Sequence, residues 1–452
     1  MRVIIVGAGE VGFNLSKVLS NEGHDVVVIE KDERKASEIE DELDVLVVKG
    51  SGSHIHTLEE AKIELADMLI AVTDSDETNI VACLIAKQFG VKKVIARIQE
   101  MRMDEPTDVI ARKMGVDLII NPTRVVASEI FHLLQVPPAS QVMEFASGRI
   151  MVYLLKVMNG APAVGKSLVD MAQEIDGTFL IVGILRKGEM FVPHGRDKIE
   201  VGDKVFVVGR KEDLYRLALY LGAEWRKPKR VMLIGGGEIT QWLAKDLESA
   251  GISNIKIISK SQEKCEELSR ELSASLVIKG DGTDLSLLRR EGVSDVDGFV
   301  ALTQNDEVNL LSVLLAKSQG ARKGIALVKK SDYVRLVDYL EKIDAIVNPR
   351  LATASTILRH FWREDVLSIS LIEEADVRVV DVRVGRGSMI TRGRLRELSL
   401  PERLLVGAVV RGDEVIIPRG DTHLLEGDEA IVFLMGEALR EVQEWFSEGS
   451  ES

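Results

Sequence analysis

Three glycines at G-x-G-x-x-G spacing, Gly7-Ala8-Gly9-Glu10-Val11-Gly12, stand between the apolar run 2–6 and a segment with Val11, Leu15, Val18 and Leu19 at helical intervals. Such a loop handles phosphates with backbone alone. Gly7 permits a tight turn, Gly9 lets the chain approach a pyrophosphate, and Gly12 lets helix and strand pack closely. The N–H groups left free at the helix start then face the anion. Glu30 follows Gly12 by 18 residues, at the end of a second apolar run, 26–29. A carboxylate there accepts hydrogen bonds from ribose hydroxyls and repels a 2′-phosphate. The loop alone is a weak signal, but strand, helix and acid together favour a dinucleotide or adenine nucleotide over a structural turn. Thr73-Asp74 and Arg97 close two further apolar runs. An arginine at a strand end can grip a phosphate in bidentate fashion, and a surface ion pair accounts for Arg97 equally well.

The elements that must position these residues alternate. Runs at 2–6, 26–29, 45–48, 68–72 and 93–96 suit buried parallel strands. Gly23 suits a helix end, and Ile80, Val81, Leu84 and Ile85 mark the apolar face of a helix starting near Asn79. A βαβ series of this kind predicts a doubly wound parallel sheet, with ligands at the carboxyl ends of the strands. Asn121-Pro122 reads as a helix cap with proline in the first turn, on a helix that ends before Pro137-Pro138 and carries the chain onward.

The chain is written twice, at an offset of about 230 residues. RVIIVGAGEVG (2–12) returns as RVMLIGGGEIT (230–240), and VVKGSGS (47–53) as VIKGDGT (277–283). AVTDSDETN (71–79) returns as ALTQNDEVN (301–309), and DLIINP (117–122) as DAIVNP (344–349). A second, β-rich unit is duplicated too: FVPHGRDKIEVGDKVFVVG (191–209) matches IIPRGDTHLLEGDEAIVFLMG (416–436). Trp225 to Arg230 reads as a linker between halves. Length alone suggests about three domains; the repeat makes four, at 1–123, 140–222, 229–350 and 366–448. The expected class is α/β: two doubly wound, Rossmann-like parallel-sheet domains, each followed by a small α+β domain. In the second copy Gly235, Gly236 and Gly237 keep the turn, with Asp281 and Thr303 nearby. Gly12, however, becomes Thr240, Glu30 becomes Ser259 and Arg97 becomes Leu327. A weaker, altered or merely structural second site follows.

Composition bounds the function. The 452 residues hold 72 acidic against 58 basic side chains, a formal charge of -14. That excludes a general nucleic-acid binder and adhesion to an anionic bilayer by charge alone. No stretch suits a signal peptide or a membrane span, so a soluble, cytosolic protein is expected. Cys83 and Cys265 read as buried reduced thiols. His54 and His56 form an H-x-H pair that an extended segment could turn to one face as metal ligands, although a solvated loop is favoured. None of the seven histidines stands in a recognisable base–orienter arrangement. An NAD-dependent oxidoreductase is therefore the alternative, and a binding module without catalysis is preferred.

The glycine loop, Thr73-Asp-Ser-Asp-Glu-Thr-Asn79, Ala96-Arg97 and the paired Pro-x-Gly/Gly-Asp units resemble the RCK (KTN) domains that regulate potassium transport. The duplicated two-domain order is similar to TrkA-type regulatory subunits of bacterial Trk potassium uptake systems. The resemblance implies a cytoplasmic gating subunit, peripheral at the inner face of the membrane, responding to NAD(H) and adenine nucleotides (ATP/ADP). Its implied partners are a membrane-embedded potassium-translocating subunit of TrkH/TrkG type and further copies of itself, in a homotetrameric ring. By the same resemblance Gly7, Ala8, Gly9, Glu10, Val11, Gly12, Glu30, Ser51, Thr73, Asp74 and Arg97 contact the nucleotide, and Gly235, Gly236, Gly237, Asp281 and Thr303 form a weaker second site. Ser51 stands where such relatives often have Asp. Glu10 stands where some single-copy relatives carry an Arg reaching a terminal phosphate, a contact that Glu10 disfavours.

Overall fold

Val3, Ile4, Ile5 and Val6 are almost wholly buried, as a parallel strand covered on both faces requires. They form β1 (Arg2–Val6), the centre of a six-stranded sheet. β1 pairs parallel with β2 (Asp25–Glu30) on one side and β4 (Met68–Ala71) on the other, so Val6 lies level with Ile29 and Ala71. β3 (Leu46–Lys49), β5 (Lys93–Arg97) and β6 (Leu118–Ile120) complete the order β3-β2-β1-β4-β5-β6, parallel throughout. Strand order reverses between β1 and β4, which opens a crevice at their carboxyl ends. Helices α1 (Glu10–Asn21), α2 (Glu33–Glu42), α3 (Ile55–Glu60) and α4 (Asp76–Gln88) connect the strands. The α4 start is fixed by Ser75, whose hydroxyl accepts the Thr78 N–H at 3.1 Å.

The computed structural model describes residues 1–100, 111, 113–135, 139–175, 179–223, 228–330, 333, 342–361, 366–372, 377–401, 403–435 and 439–447. They fall into two compact units. One comprises residues 1–128 with 348–358, the other residues 129–347 with 359–452. The first therefore contains the sheet above together with most of a helix, Pro349–Phe361, that follows the second half of the repeat.

In the second unit β7 (Ala139–Phe145), β8 (Ile150–Lys156), β9 (Phe179–Arg186), β10 (Glu189–Phe191) and β11 (Lys204–Gly209) form an antiparallel sheet, order β10-β9-β11-β8-β7. A second parallel sheet follows: β12 (Arg230–Ile234), β13 (Asn254–Ser259), β14 (Ser275–Lys279), β15 (Gly298–Ala301), β16 (Lys323–Leu327) and β17 (Ala345–Val347), ordered β14-β13-β12-β15-β16-β17. The last sheet holds β18 (Val366–Ile372), β19 (Val377–Arg383), β20 (Leu404–Arg411), β21 (Glu414–Ile416) and β22 (Glu429–Met435) in order β18-β19-β22-β20-β21. The two antiparallel sheets share one apolar core, in which Val152, Phe206 and Val208 pack with Val379, Ala408 and Phe433.

The Gly-Asp turns of the repeated β-rich unit have a physical purpose. Asp203 and Asp428 are nearly fully buried, and each takes both ends of an arginine fork. Arg186 meets Asp203 at 2.8 Å twice, and Arg411 meets Asp428 at 2.9 and 2.8 Å. Arg230 begins β12 instead of ending a linker, while residues 224–227 of that linker lie outside the described residues. His54 and His56 are both exposed, in keeping with the favoured solvated reading, but His56 lies in helix α3 and not in a loop or an extended segment, and the two rings stack with centroids 5.5 Å apart. Cys83 and Cys265 are buried and free, and burial pushes the Cys83 thiol up to about 12.

Candidate functional site

The end of β1 turns at Gly7, with φ +108°, and its N–H donates to Ile29 O at 2.8 Å. A Cβ on Gly7 would come within 3.1–3.2 Å of the Thr73 backbone, so the turn is pressed against the end of β4. Gly9 then caps α1 without a side-chain bond, leaving the first N–H groups of the helix to an outside acceptor. Space above Gly9 is open: a Cβ there would meet nothing within 4 Å. At Gly12 the reverse holds, since a Cβ would lie 1.9 Å from Gly7 O. Val11 is buried, so only its backbone can serve a ligand.

Glu30, at the end of β2, is 8% exposed and takes the Ala8 N–H on Oε2 at 2.6 Å and the Asp32 N–H on Oε1 at 2.9 Å. The carboxylate is thus held beside the loop, oriented by backbone donors. Across the crevice, Arg97 at the end of β5 donates to Thr73 O at 3.4 Å and to Asp74 Oδ1 at 3.2 Å. Asp74 is 91% exposed and Arg97 18%, so the ion pair stands at the rim and is weak enough to be exchanged for a ligand anion. Gly7, Ala8, Glu30, Thr73, Asp74 and Arg97 thereby converge at the carboxyl ends of β1, β2, β4 and β5. Ser51 lies on the turn after β3, sharing a hydrogen bond with Ser53 at 2.8 Å.

Two residues escaped the sequence reading of this site. Asn79 ties the ends of β4 and β5 together: Oδ1 accepts from Thr73 N (2.9 Å) and Thr73 Oγ1 (2.7 Å), and Nδ2 donates to Thr73 O (3.1 Å) and Arg97 O (2.8 Å). The repeated Thr-x5-Asn spacing, Thr73 to Asn79 and Thr303 to Asn309, was its signal. Arg350 forms an ion pair with Glu10, and no local pattern announces a partner so remote in sequence.

The second loop differs where the ligand would sit. Gly235 keeps a turn at φ +120° and Gly237 is again open. At Gly236 a Cβ would meet Ser259 Oγ at 2.7 Å and Lys264 Cβ at 3.0 Å, so side chains crowd the place that corresponds to Ala8. Thr240 is fully buried and its hydroxyl has no partner. Leu327 puts an apolar side chain at the register of Arg97. Asp281 accepts from Thr283 N at 3.0 Å and pairs with Lys260 at 2.9 Å, which holds its carboxyl below its ordinary value through the Thr283 N–H first and the Lys260 contact next. Thr303 is engaged by Asn309, as Thr73 is by Asn79.

Known proteins show the same tandem. The TrkA-N domain family matches residues 3–122 and again 231–349, and the TrkA-C domain family matches residues 152–222 and 379–447. Trk system potassium uptake protein TrkA homolog 1 of Methanosarcina mazei is 37% identical over 453 residues, covering 99% of this chain and 100% of that protein. Trk system potassium uptake protein TrkA of Halomonas elongata is 33% identical over 457 residues, covering 99% of each. Among solved structures, the GsuK RCK domain has a TM-score of 0.58 at 20% identity, over 98% of this chain and 94% of that one. The GsuK channel bound to NAD gives 0.60 at 21%, over 98% of this chain and 78% of that one. At such identity the likeness shows the shared fold.

Proposed function

The chain belongs to the TrkA family, with TrkA-N and TrkA-C domains in tandem, and from that premise we propose that it is a nucleotide-binding regulatory subunit of a potassium uptake system. It controls a membrane-embedded potassium-translocating subunit of TrkH/TrkG type from the cytoplasmic side. Among the described residues no helix is long and apolar enough to cross a membrane, and with a charge of -14 attachment comes through docking on that subunit. Copies of the chain assemble into a homotetrameric ring.

The observation that carries the nucleotide reading is the open, uncapped start of α1 beside the oriented carboxylate of Glu30. NAD(H) fits these groups: its pyrophosphate takes the N–H groups of Gly9 to Gly12, and its adenine ribose takes Glu30. Thr73 and Arg97 border the rest of the crevice, and Arg97 can leave Asp74 for a phosphate. The GsuK channel, whose fold this chain shares, has been captured with NAD bound. ATP and ADP share the adenylate part of that ligand and compete for the same groups. The chain binds without turnover, and regulation follows from binding two ring conformations unequally, since a ligand of equal affinity shifts nothing.

Thermal melting of the full chain tests this. NADH at 100-fold over Kd stabilises by about 2.7 kcal/mol, and Gly9→Trp, which fills the open space above the loop, abolishes the shift. An undiminished response in that variant removes the loop from the account. Steady consumption of NADH by the purified protein overturns the regulatory reading in favour of an oxidoreductase.

A further inference from the structure

Glu10, the first residue of α1, stands where the bound phosphates of a nucleotide would face it. An acid there suits the empty protein, because the partial positive charge of a helix start favours it. With a phosphate bound the same acid is a repulsive neighbour. The structure places a cation against it: Arg350 is ion-paired with Glu10, both side chains a little under half exposed, at the solvent-open mouth of the loop.

Arg350 is not a wandering surface side chain. Its backbone is pinned by Asn348, whose Oδ1 accepts the N–H of Arg350 at 2.9 Å and of Leu351 at 3.1 Å. Ala354, Ile357 and Leu358 anchor the same helix by burial. Residues 348–358 belong to the unit that contains the glycine loop, although the chain reaches them directly from β17. The matching helix of the other half, which begins Asn121-Pro122, carries Thr123 at the corresponding position. The repeat itself therefore does not carry the arginine into both copies.

We propose that Arg350 is a phosphate-binding residue of the nucleotide site, held in reserve by Glu10 until a ligand phosphate takes the carboxylate's place. The proposal rests on the nucleotide reading above and extends it. A guanidinium fork receives a carboxylate or a phosphate with the same two parallel N–H groups, so the exchange needs no new geometry. The half-exposed pair is weak, whereas a terminal phosphate brings more charge and also faces the uncapped helix start. Arg350 therefore favours nucleotides with a terminal phosphate over a nucleoside, with a dinucleotide between them. Because Arg350 follows Val347 by three residues, a phosphate at the first loop acts on a segment continuous with the second half.

Equilibrium binding of adenosine, ADP and NADH to the full chain tests this. Arg350→Gln weakens ADP by about 5- to 20-fold, weakens NADH less and leaves adenosine within about twofold. Arg350→Lys restores part of the loss. Glu10→Gln, which removes the competitor and a like charge, tightens ADP by about 3- to 10-fold. ADP affinity unchanged in Arg350→Gln, an equal loss for adenosine, or no gain in Glu10→Gln overturns the assignment. Failure of the wild-type chain to bind any of the three, or binding that survives Gly9→Trp, strikes the glycine-loop reading instead.

Discussion

Gly12→Ala isolates the contact that shapes the loop. The added methyl would stand 1.9 Å from Gly7 O and 3.0 Å from Gly7 C, where an ordinary carbon–oxygen contact is about 3.3 Å or more. The loop must therefore retreat by more than an ångström, and it has little room. Gly7 is already against the Thr73 backbone, and its N–H is committed to Ile29 O. Overpacking of this kind costs about 1–3 kcal/mol, of which alanine's better helix propensity offsets up to about 1 kcal/mol. A net loss of about 1–2 kcal/mol lowers the melting temperature of a unit this size by roughly 3–8 °C. The control is Gly9→Ala, where φ is -67° and no atom lies within 4 Å of the new methyl, so its unliganded melting temperature stays at the wild-type value. Both variants lose the NADH-induced shift, the first because the loop has moved and the second because the methyl occupies the place of the pyrophosphate. Calorimetry with and without NADH separates the two effects. Wild-type melting and a full NADH response in Gly12→Ala would refute the claim that the Gly7–Gly12 approach sets the loop.

Asp381 on β19 is 3% exposed, with Oδ1 lacking any partner and Oδ2 at 3.4 Å from the Ala146 N–H. Burial first, then the neighbouring Glu429, raises its carboxyl to about 8, against the opposing Ala146 N–H and Arg149. A raised acid favours the folded state while protonated. Its contribution is complete below about pH 4 and falls as the pH climbs to about 8, by at most about 1.4 kcal/mol per pH unit. Asp381→Asn removes that slope in melting temperature against pH, and a variant with the wild-type slope would assign it elsewhere. Arg411→Ala leaves the Asp428 carboxylate, 3% exposed, with the Leu425 N–H at 2.8 Å and without its arginine fork. Allowing for the partial exposure of Arg411, the loss in chemical denaturation is about 2–3 kcal/mol, and Lys, which cannot form the fork, does not rescue it.

The parallel strands were legible because each is a short run of buried apolar residues bounded by turn residues, and the glycine loop because its spacing is fixed by contacts within a few residues. β6 escaped as a strand because three residues are too few for a periodic signal, although its repeated DLIINP setting was visible. The H-x-H pair reads as a solvated loop because the sequence does not show that a helix begins at Ile55. Glu30 was read from its distance to Gly12, yet its bond to Ala8 N–H depends on how β2 lies against β1, which no spacing encodes. Arg350 was invisible for a stronger reason. It reaches Glu10 only because residues 348–358 join the unit built by the other half, whereas a repeat read along the chain groups them with the half they follow.

The duplication supplies an internal control that sorts fold from ligand. What both loops keep is what the sheet needs. Asn79 and Asn309 make the same four bonds across their strand ends. Gly52 and Gly282 come equally close to Val6 and Ile234, at 2.2 and 2.1 Å for a Cβ. What only the first loop keeps has no such duty in the second: Glu30 against Ser259, Arg97 against Leu327, and Gly12 against Thr240. Thr240 shows that a Cβ at the Gly12 position is compatible with a folded sheet, at the cost of a buried hydroxyl without a partner. A position that folds with threonine in one copy and stays glycine in the other, beside an oriented carboxylate and a rim arginine, is where the proposed nucleotide site would make the two loops differ in ligand response.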